Sequence, residues 1–433
     1  MDLADRIRRS LSPAGRRPPP PRSALIEQLR REMSRIQARA ATPSRPAPRL
    51  RAGPAPGLPE PLDPEGQLFR QDFAPRHRFG EAALERPGAE LLAMIERLLG
   101  WCAGWTGDHL RAEDLLFLDL ETTGLSRSAE TIPFLIGAGR WPIAGESAGA
   151  GGFRVDQIFL RDPADEALAL DRLQQLLETT RVVVTFNGRG FDLPLLQNRS
   201  LITRTFLDLD RRPHLDLLPI CRRLFRPRLV NCRLVTLERD LLGFTREGDV
   251  EGDQAPRIYN EWLRSGEPGE LPLILEHNRL DVALMSPLLH RAARHLVDPL
   301  HWAEDAEELL GCALLHLRRK ERGAPELAEA CLIRGLELAR RPATRRSLLV
   351  TLARHLRRSG RPHDASARWE QLRREFPDQT TGWIELAKYH EHVTRDLPRA
   401  LELAERSPHQ TDEVQQRLRR LRRRVQRSLE RPR

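Results

Sequence analysis

Apolar residues along this chain keep three different rhythms. In the middle they form short unbroken runs. Residues 115–120 read Leu-Leu-Phe-Leu-Asp-Leu and residues 181–186 read Arg-Val-Val-Val-Thr-Phe, the pattern of strands buried on both faces. Residues 132–141 and 153–160 predict two more strands, joined as a hairpin by the Gly- and Ala-rich segment 144–152. A helical spacing over 165–178 precedes the Val-rich strand. After that strand comes the turn Asn187-Gly188-Arg189-Gly190, and then a helix with Pro194 in its first turn. A short strand is expected at 214–217 and helices over 218–297. Upstream, 89–102 predicts a helix, and Leu25, Leu29, Met33 and Ile36 form a helical stripe within 23–39. From Pro299 onward the rhythm is helical throughout, with a 34-residue period. Leu349, Leu352, Ala353, Leu356, Gly360, Ala365, Trp369 and Pro377 fall in order, and Trp383, Leu386 and Ala387 keep step in the next unit, while Ala400 arrives one place late. This order of elements predicts an α/β domain with a mixed sheet and flanking helices, followed by an all-α region of stacked helical pairs.

Composition sharpens the division. Residues 1–64 are rich in Pro and Arg, with Pro18 to Pro21 unbroken, and such a segment buries too little apolar surface to order itself. We expect a disordered basic tail over 1–64 and a helical lead-in over 65–111. The α/β domain is expected over 112–297, helical repeats over 298–410 and a basic helical tail over 411–433. The net charge of +10 lies in the ends: residues 1–51 carry 13 Arg against 4 acids, residues 411–433 carry 9 Arg against 3 acids, and the body between is net −5. Basic ends suit sequence-independent contacts with phosphates. Only Lys320 and Lys388 of the 71 basic residues are lysines, so an arginine-biased base composition is an equal reading. A second cluster, Arg222, Arg223, Arg226, Arg228 and Arg233, reads as a phosphate-gripping edge or as a solvated helix face. No stretch approaches the ~20 apolar residues of a membrane helix, and the N-terminus has charge without an apolar stretch, unlike a secretory signal. The five cysteines include no C-x-x-C pair and are odd in number, which argues against a zinc ribbon or a disulfide framework. A cytoplasmic location is expected.

The chemistry lies where the strands end. Asp119 and Glu121 are two apart on the first strand, so both side chains leave the same face. Asp192 stands at the start of a helix just beyond the Val-rich strand, as a cap or as part of a site. His277 and Asp281 are four apart on a helix and share one face, as a surface pair or as part of the same site. Crowded without a counter-charge, four such carboxylates would repel strongly. A pair of divalent cations, Mg²⁺ or Mn²⁺, would resolve that repulsion and supply the chemistry of phosphodiester hydrolysis.

Three segments together, Asp119-x-Glu121-Thr122-Thr123-Gly124, Asn187-Gly-x-x-Phe191-Asp192 and His277-Asn278-x-x-Asp281, resemble the ribonuclease-H-like DEDD 3′→5′ exonucleases. Ile136-Gly137, His214-x-Asp216-Leu217 and Asp249-Val250-Glu251-Gly252 make the pattern similar to the YprB-like branch over about residues 112–297. The resemblance implies a ribonuclease-H-like α/β fold and metal ligation by Asp119, Glu121, Asp192 and Asp281. It places His277 where the family orients the attacking water, although the family uses Tyr, not His, at this spacing. It also implies contact of Thr122, Thr123, Gly124, Asn187, Phe191 and Asn278 with a terminal nucleotide. Asp216 is expected to support the fold beneath the site rather than to bind metal.

The expected activity is therefore a metal-dependent exonuclease acting on single-stranded ends of DNA or RNA. The tetratricopeptide-like repeats would grip a protein partner or serve only as a helical cap that stabilises the catalytic domain. Two alternatives follow from the same residues: a silent nucleic-acid-binding scaffold that recruits a protein, and a structure-selective endonuclease.

Overall fold

The computed structural model describes residues 58–429 apart from 64, 66, 125–129, 144–145, 147–151, 251 and 320. The helix expected over 23–39 lies outside these residues, as do almost all of the basic tail and most of the 144–152 connection. The described residues fall within one compact unit.

The chain enters through strand β1 (Leu68–Phe73) and a small hairpin, β2 (His77–Phe79) and β3 (Ala82–Leu84), then helix α1 (Ala89–Cys102). Strands β4 (Leu115–Thr122), β5 (Pro133–Arg140) and β6 (Phe153–Phe159) follow, then α2 (Glu166–Glu178), β7 (Val182–Thr185), α3 (Asp192–Thr203), β8 (His214–Asp216) and α4 (Leu217–Phe225). Helices α5 (Leu234–Leu242), α6 (Ala255–Ser265) and the 27-residue α7 (Leu271–Val297) complete this half. The main sheet runs β1-β6-β5-β4-β7-β8. Its first four strands pair antiparallel, and β4-β7 and β7-β8 pair parallel. The mixed sheet with helices packed on it is the expected architecture.

β1 was not expected as a strand. Its sequence, Leu-Phe-Arg-Gln-Asp-Phe, carries charges where a sheet interior would be apolar. They are satisfied by charges on the neighbouring strand: Arg70 pairs with Asp156 at 2.5 Å and Asp72 with Arg154 at 2.7 Å. Cross-strand ion pairs of this kind offset the loss of apolar pattern.

α7 lies on the sheet through a close fit with β5. Gly137 and Gly139 leave the same face of that strand. A Cβ on Gly137 would fall 2.8 Å from both Cγ and Nδ2 of Asn278, and one on Gly139 would fall 2.5 Å from Cγ1 of Val282. Asn278 and Val282 are four apart on α7, so the helix seats two successive side chains in a groove made by two absent ones.

Beyond α7 the chain is helical: α8 (Pro299–Trp302), α9 (Ala306–His316), α10 (Ala324–Leu338), α11 (Pro342–Arg358), α12 (Pro362–Glu375), α13 (Thr380–Tyr389), α14 (Leu397–Glu405) and α15 (Asp412–Leu429). From α9 to α15 each helix packs on the next. In the turn after α13, fully buried Glu391 pairs with Arg417, Arg420 and Arg424 of α15 at 2.6–2.8 Å, so part of the basic tail is neutralised within the fold. One apolar core runs without a break from Phe73 to Leu421. Gly311 of α9 lets the two halves meet: a Cβ there would lie 2.8 Å from the carbonyl carbon of Leu224 and 3.0 Å from the carbonyl oxygen of Arg223, at the end of α4.

Candidate active site

β4 delivers the first two carboxylates. Its residues other than the half-buried Asp119 are buried, because β5 and β7 flank it and α7 covers it, and Asp119 and Glu121 stand near its end. The register places Asp119 opposite Gly137 and Glu121 opposite Leu135, and slips between Glu121 and Thr122. Irregularities of this kind re-aim side chains where a strand ends. Thr123 closes the turn by two bonds with Ile132: its amide donates to the carbonyl and its hydroxyl accepts from the amide, both at 3.0 Å. Thr122 donates its hydroxyl to the carbonyl of Gly124 at 2.8 Å. The hydroxyls of Thr122 and Thr123 thus serve the local backbone.

Asp192 is the first residue of α3, just after the N-cap Phe191. It is 8% exposed. The turn before it is held by Asp216, which accepts from the amides of Asn187 at 2.8 Å, Arg189 at 3.2 Å and Leu218 at 3.0 Å. Asp216 therefore caps α4 and braces the Asn187 turn, the supporting use expected of it. Asn187 takes the left-handed conformation with φ +70°, which Asn tolerates better than most residues.

α7 brings His277, Asn278 and Asp281. Asn278 was expected to face a nucleotide, but it is fully buried. It donates Nδ2 to Asp119 Oδ2 at 2.9 Å and accepts from Gln157 Nε2 at 2.9 Å; Gln157 also donates to the Leu275 carbonyl at 2.8 Å. A relay from β6 through α7 thus orients the carboxylate of β4. His277 takes Asp249 Oδ1 on Nδ1 at 2.7 Å. Its Nε2 lies 3.7 Å from Asp281 Oδ2 and 3.9 Å from Glu121 Oε1. Arg246, only 4% exposed, forms ion pairs with Asp281 and, at 2.5 Å, with Glu238.

The four expected carboxylates share one field. Burial drives Asp119 well above the usual carboxylate range, and Asp281, Glu121 and Asp192 push it further, against the hydrogen bond from Asn278. Burial likewise raises Glu121, reinforced by Asp281, Asp192 and Asp249 and opposed by Arg246. Asp192 is raised to about 7, by burial and then by Asp216. By donor chemistry this all-oxygen set suits a hard divalent cation. Among the described residues, no three His, Cys, Asp or Glu side chains are gathered so as to enclose a metal ion; Asp281 is turned to Arg246 instead.

Sequence reasoning missed Gln157, Glu238 and Arg246. Gln157 left no distinct signal, since its strand also carries Arg154 and Asp156. Arg246 left none, since one more arginine in an arginine-rich chain carries no mark.

Residues 116–293 match the family model RNase_H_2 of the RNase_H superfamily, which spans every residue of the site. The chain is also similar to the protein named "Uncharacterized protein YprB" of Bacillus subtilis (strain 168), 29% identical over 298 residues, or 68% of this chain and 69% of that protein. The superfamily is one of nucleases. No helix among the described residues is long and apolar enough to cross a membrane.

Proposed function

We propose that this protein is a metal-dependent nuclease, and specifically a 3′→5′ exonuclease that hydrolyses terminal phosphodiesters of DNA or RNA. The observation that carries the reading is the mutual field of Asp119, Glu121, Asp192 and Asp281, delivered by a strand end, a helix start and a crossing helix. Such a cluster is stable in ionised form only with cationic charge among its oxygens. Mg²⁺ or Mn²⁺ held by these four residues would polarise water and neutralise charge developing on the phosphoryl oxygens. The chain's own residues do the rest. Gln157 and Asn278 fix the carboxylate of Asp119. Asp249 holds His277 with Nε2 toward the site, placed to orient a water. Thr122, Thr123, Gly124, Asn187 and Phe191 are the groups we assign to the terminal nucleotide. In this reading residues 112–297 are the catalytic domain. The helices over 298–410 are a tetratricopeptide-like region offering a face to a protein partner.

The test is end-dependent loss of labelled single strands of DNA and RNA in Mg²⁺ or Mn²⁺, with each end blocked in turn and circular strands as the control. Asp119→Asn and Asp192→Asn should each lower the rate by more than the ~10–100-fold typical of residues that only position a ligand. Activity that survives both substitutions rejects the site. The Arg246–Asp281 ion pair favours a second reading, a nucleic-acid-binding scaffold that does not turn over. Calorimetry with Mn²⁺ separates the two, because the scaffold reading requires no heat of metal binding.

A further inference from the structure

The arginine cluster that follows the site divides in the fold. Arg228 turns into the helical half, pairing with Glu308 at 2.8 Å and lying near Asp305 and Glu304. Arg222, Arg223 and Arg226 turn the other way. With Arg318 from the end of α9 they line a cleft of about 560 Å³ between α4, α9 and α11. Ser347 and Thr351 of α11 line the far wall, and Leu314, 39% exposed, lies in the floor. No Asp or Glu lines this cleft. Among the described residues, none of the four guanidinium groups has an ion-pair or hydrogen-bond partner. Nearby acids are engaged elsewhere: Glu308 alone draws Arg228, Arg291 and His295. Four unpaired guanidiniums around a concave, acid-free space repel one another, and an anion would relieve that repulsion. The fork of each matches phosphate oxygens.

We propose that this cleft binds the phosphodiester backbone of a single nucleic-acid strand whose end is processed at the carboxylate site. This rests on the nuclease reading for the strand's other end. Two observations connect the places. Asp216, which braces the Asn187 turn beside Asp192, also caps α4, whose last turn carries the arginines. Arg226 lies ten residues beyond Asp216, about 15 Å along a helix, or roughly four nucleotides at ~3.4 Å per step. The two places also share a neighbour. The Cys102 thiol, raised by burial, is pulled back by Arg223, Arg319 and Arg189 in that order, and Arg189 belongs to the turn before Asp192. The flat sides of the guanidiniums and the leucine floor would take the bases without regard to sequence.

The test is binding without turnover: anisotropy of labelled oligothymidylates of about four and about twelve nucleotides, in EDTA, across a salt series. In the variant Arg222→Ala/Arg226→Ala/Arg318→Ala the longer strand should lose at least tenfold in affinity. The slope of log K against log salt should become shallower by about 2, from ~0.7 per phosphate contact over three contacts. The four-nucleotide strand should bind both proteins alike. The three residues are exposed, and a matching circular dichroism spectrum shows that the fold is kept; the single variant Arg318→Glu should move the slope in the same direction. If the longer strand keeps its affinity and slope in both variants, the proposal fails. Tight mononucleotide binding that the triple variant abolishes, with strand binding untouched, overturns it in favour of a small-molecule site. If strand binding depends on the arginines but no substrate is ever cleaved, the cleft stands and the nuclease reading falls.

Discussion

Replacing Gly137 with Ala adds one methyl group to a residue that touches no substrate and carries no charge, and it should impair the site. The new Cβ would stand 2.8 Å from Cγ and Nδ2 of Asn278, closer than such atoms approach. Asn278 has nowhere to go. It is fully buried, held by Gln157 from one side and packed between β5 and α7. Its bond to Asp119 must break or the helix must lift. Overpacking a core costs about 1–3 kcal/mol, and a hydrogen bond to a charged group contributes about 1.5–3 kcal/mol. Against these stands the gain of roughly 0.5–1 kcal/mol for Ala over Gly in a strand. The sum is a loss of about 2–5 kcal/mol in urea unfolding. Nuclease activity should fall ~10–100-fold, as when a residue that orients a metal ligand is lost. The decisive assay is a double-mutant cycle with Asn278→Ala, which vacates the space the methyl needs. Gly137→Ala should then be almost neutral in the Asn278→Ala background, with a coupling energy of 1–3 kcal/mol, the upper part of the range for residues in contact. If Gly137→Ala unfolds and cleaves like the parent, or if the two effects simply add, Asn278 is not what the glycine makes room for.

Three further outcomes follow from buried groups. Arg246→Gln leaves Glu238 and Asp281 without their cation and should destabilise the metal-free protein by about 3–5 kcal/mol in urea; added Mn²⁺ should recover part of the loss if the carboxylates bind it. Burial lowers the pKa of His290 to about 3, helped by Arg294, so the fold favours the neutral ring. The stability this contributes is present above the ordinary value near 6.5 and is lost as pH falls from there toward 3. Unfolding free energies from urea titrations should drop by up to about 1.4 kcal/mol per pH unit across that window, and His290→Phe should flatten the profile. Gly311→Ala sets a methyl against the carbonyl carbon of Leu224 and should cost about 1–3 kcal/mol or more; an unchanged midpoint would mean that α4 and α9 are not in register as described.

What could be read in advance, and what could not, divides along a physical line. Strands β4 and β7 announce themselves because burial on both faces demands near-continuous apolar runs. The ends of β4 to β7 were read within one residue, apart from β4, which extends two residues further, to Thr122. The candidate pairs Asp119 and Glu121, and His277 and Asp281, were chosen because period-two and period-four spacings place side chains on shared faces without knowledge of partners. β1 was hidden because its charges are satisfied by Asp156 and Arg154, some eighty residues away, and a local pattern carries no record of such a partner. Asn278 was found, but its use was read outward rather than inward, because burial depends on the two glycines of β5 as much as on the helix. The arginine run 222–228 looked uniform in one dimension; helix geometry sends three members to the cleft and one to Glu308.

The long helix α7 carries Asp281 in its first half, and in its second half Arg291 and His295, which hold Glu308 of α9. It has no joint between them: Pro287 sits inside it and the helix continues. Severing the chain after residue 297 would strip the cover from Ala292, Ala293 and Leu296, all buried, and leave the same rod that positions the acidic residue with a sticky, unsupported end. The two halves are better regarded as one lever than as beads on a string. Any force exerted on the far helices arrives at Asp281 without a hinge to absorb it.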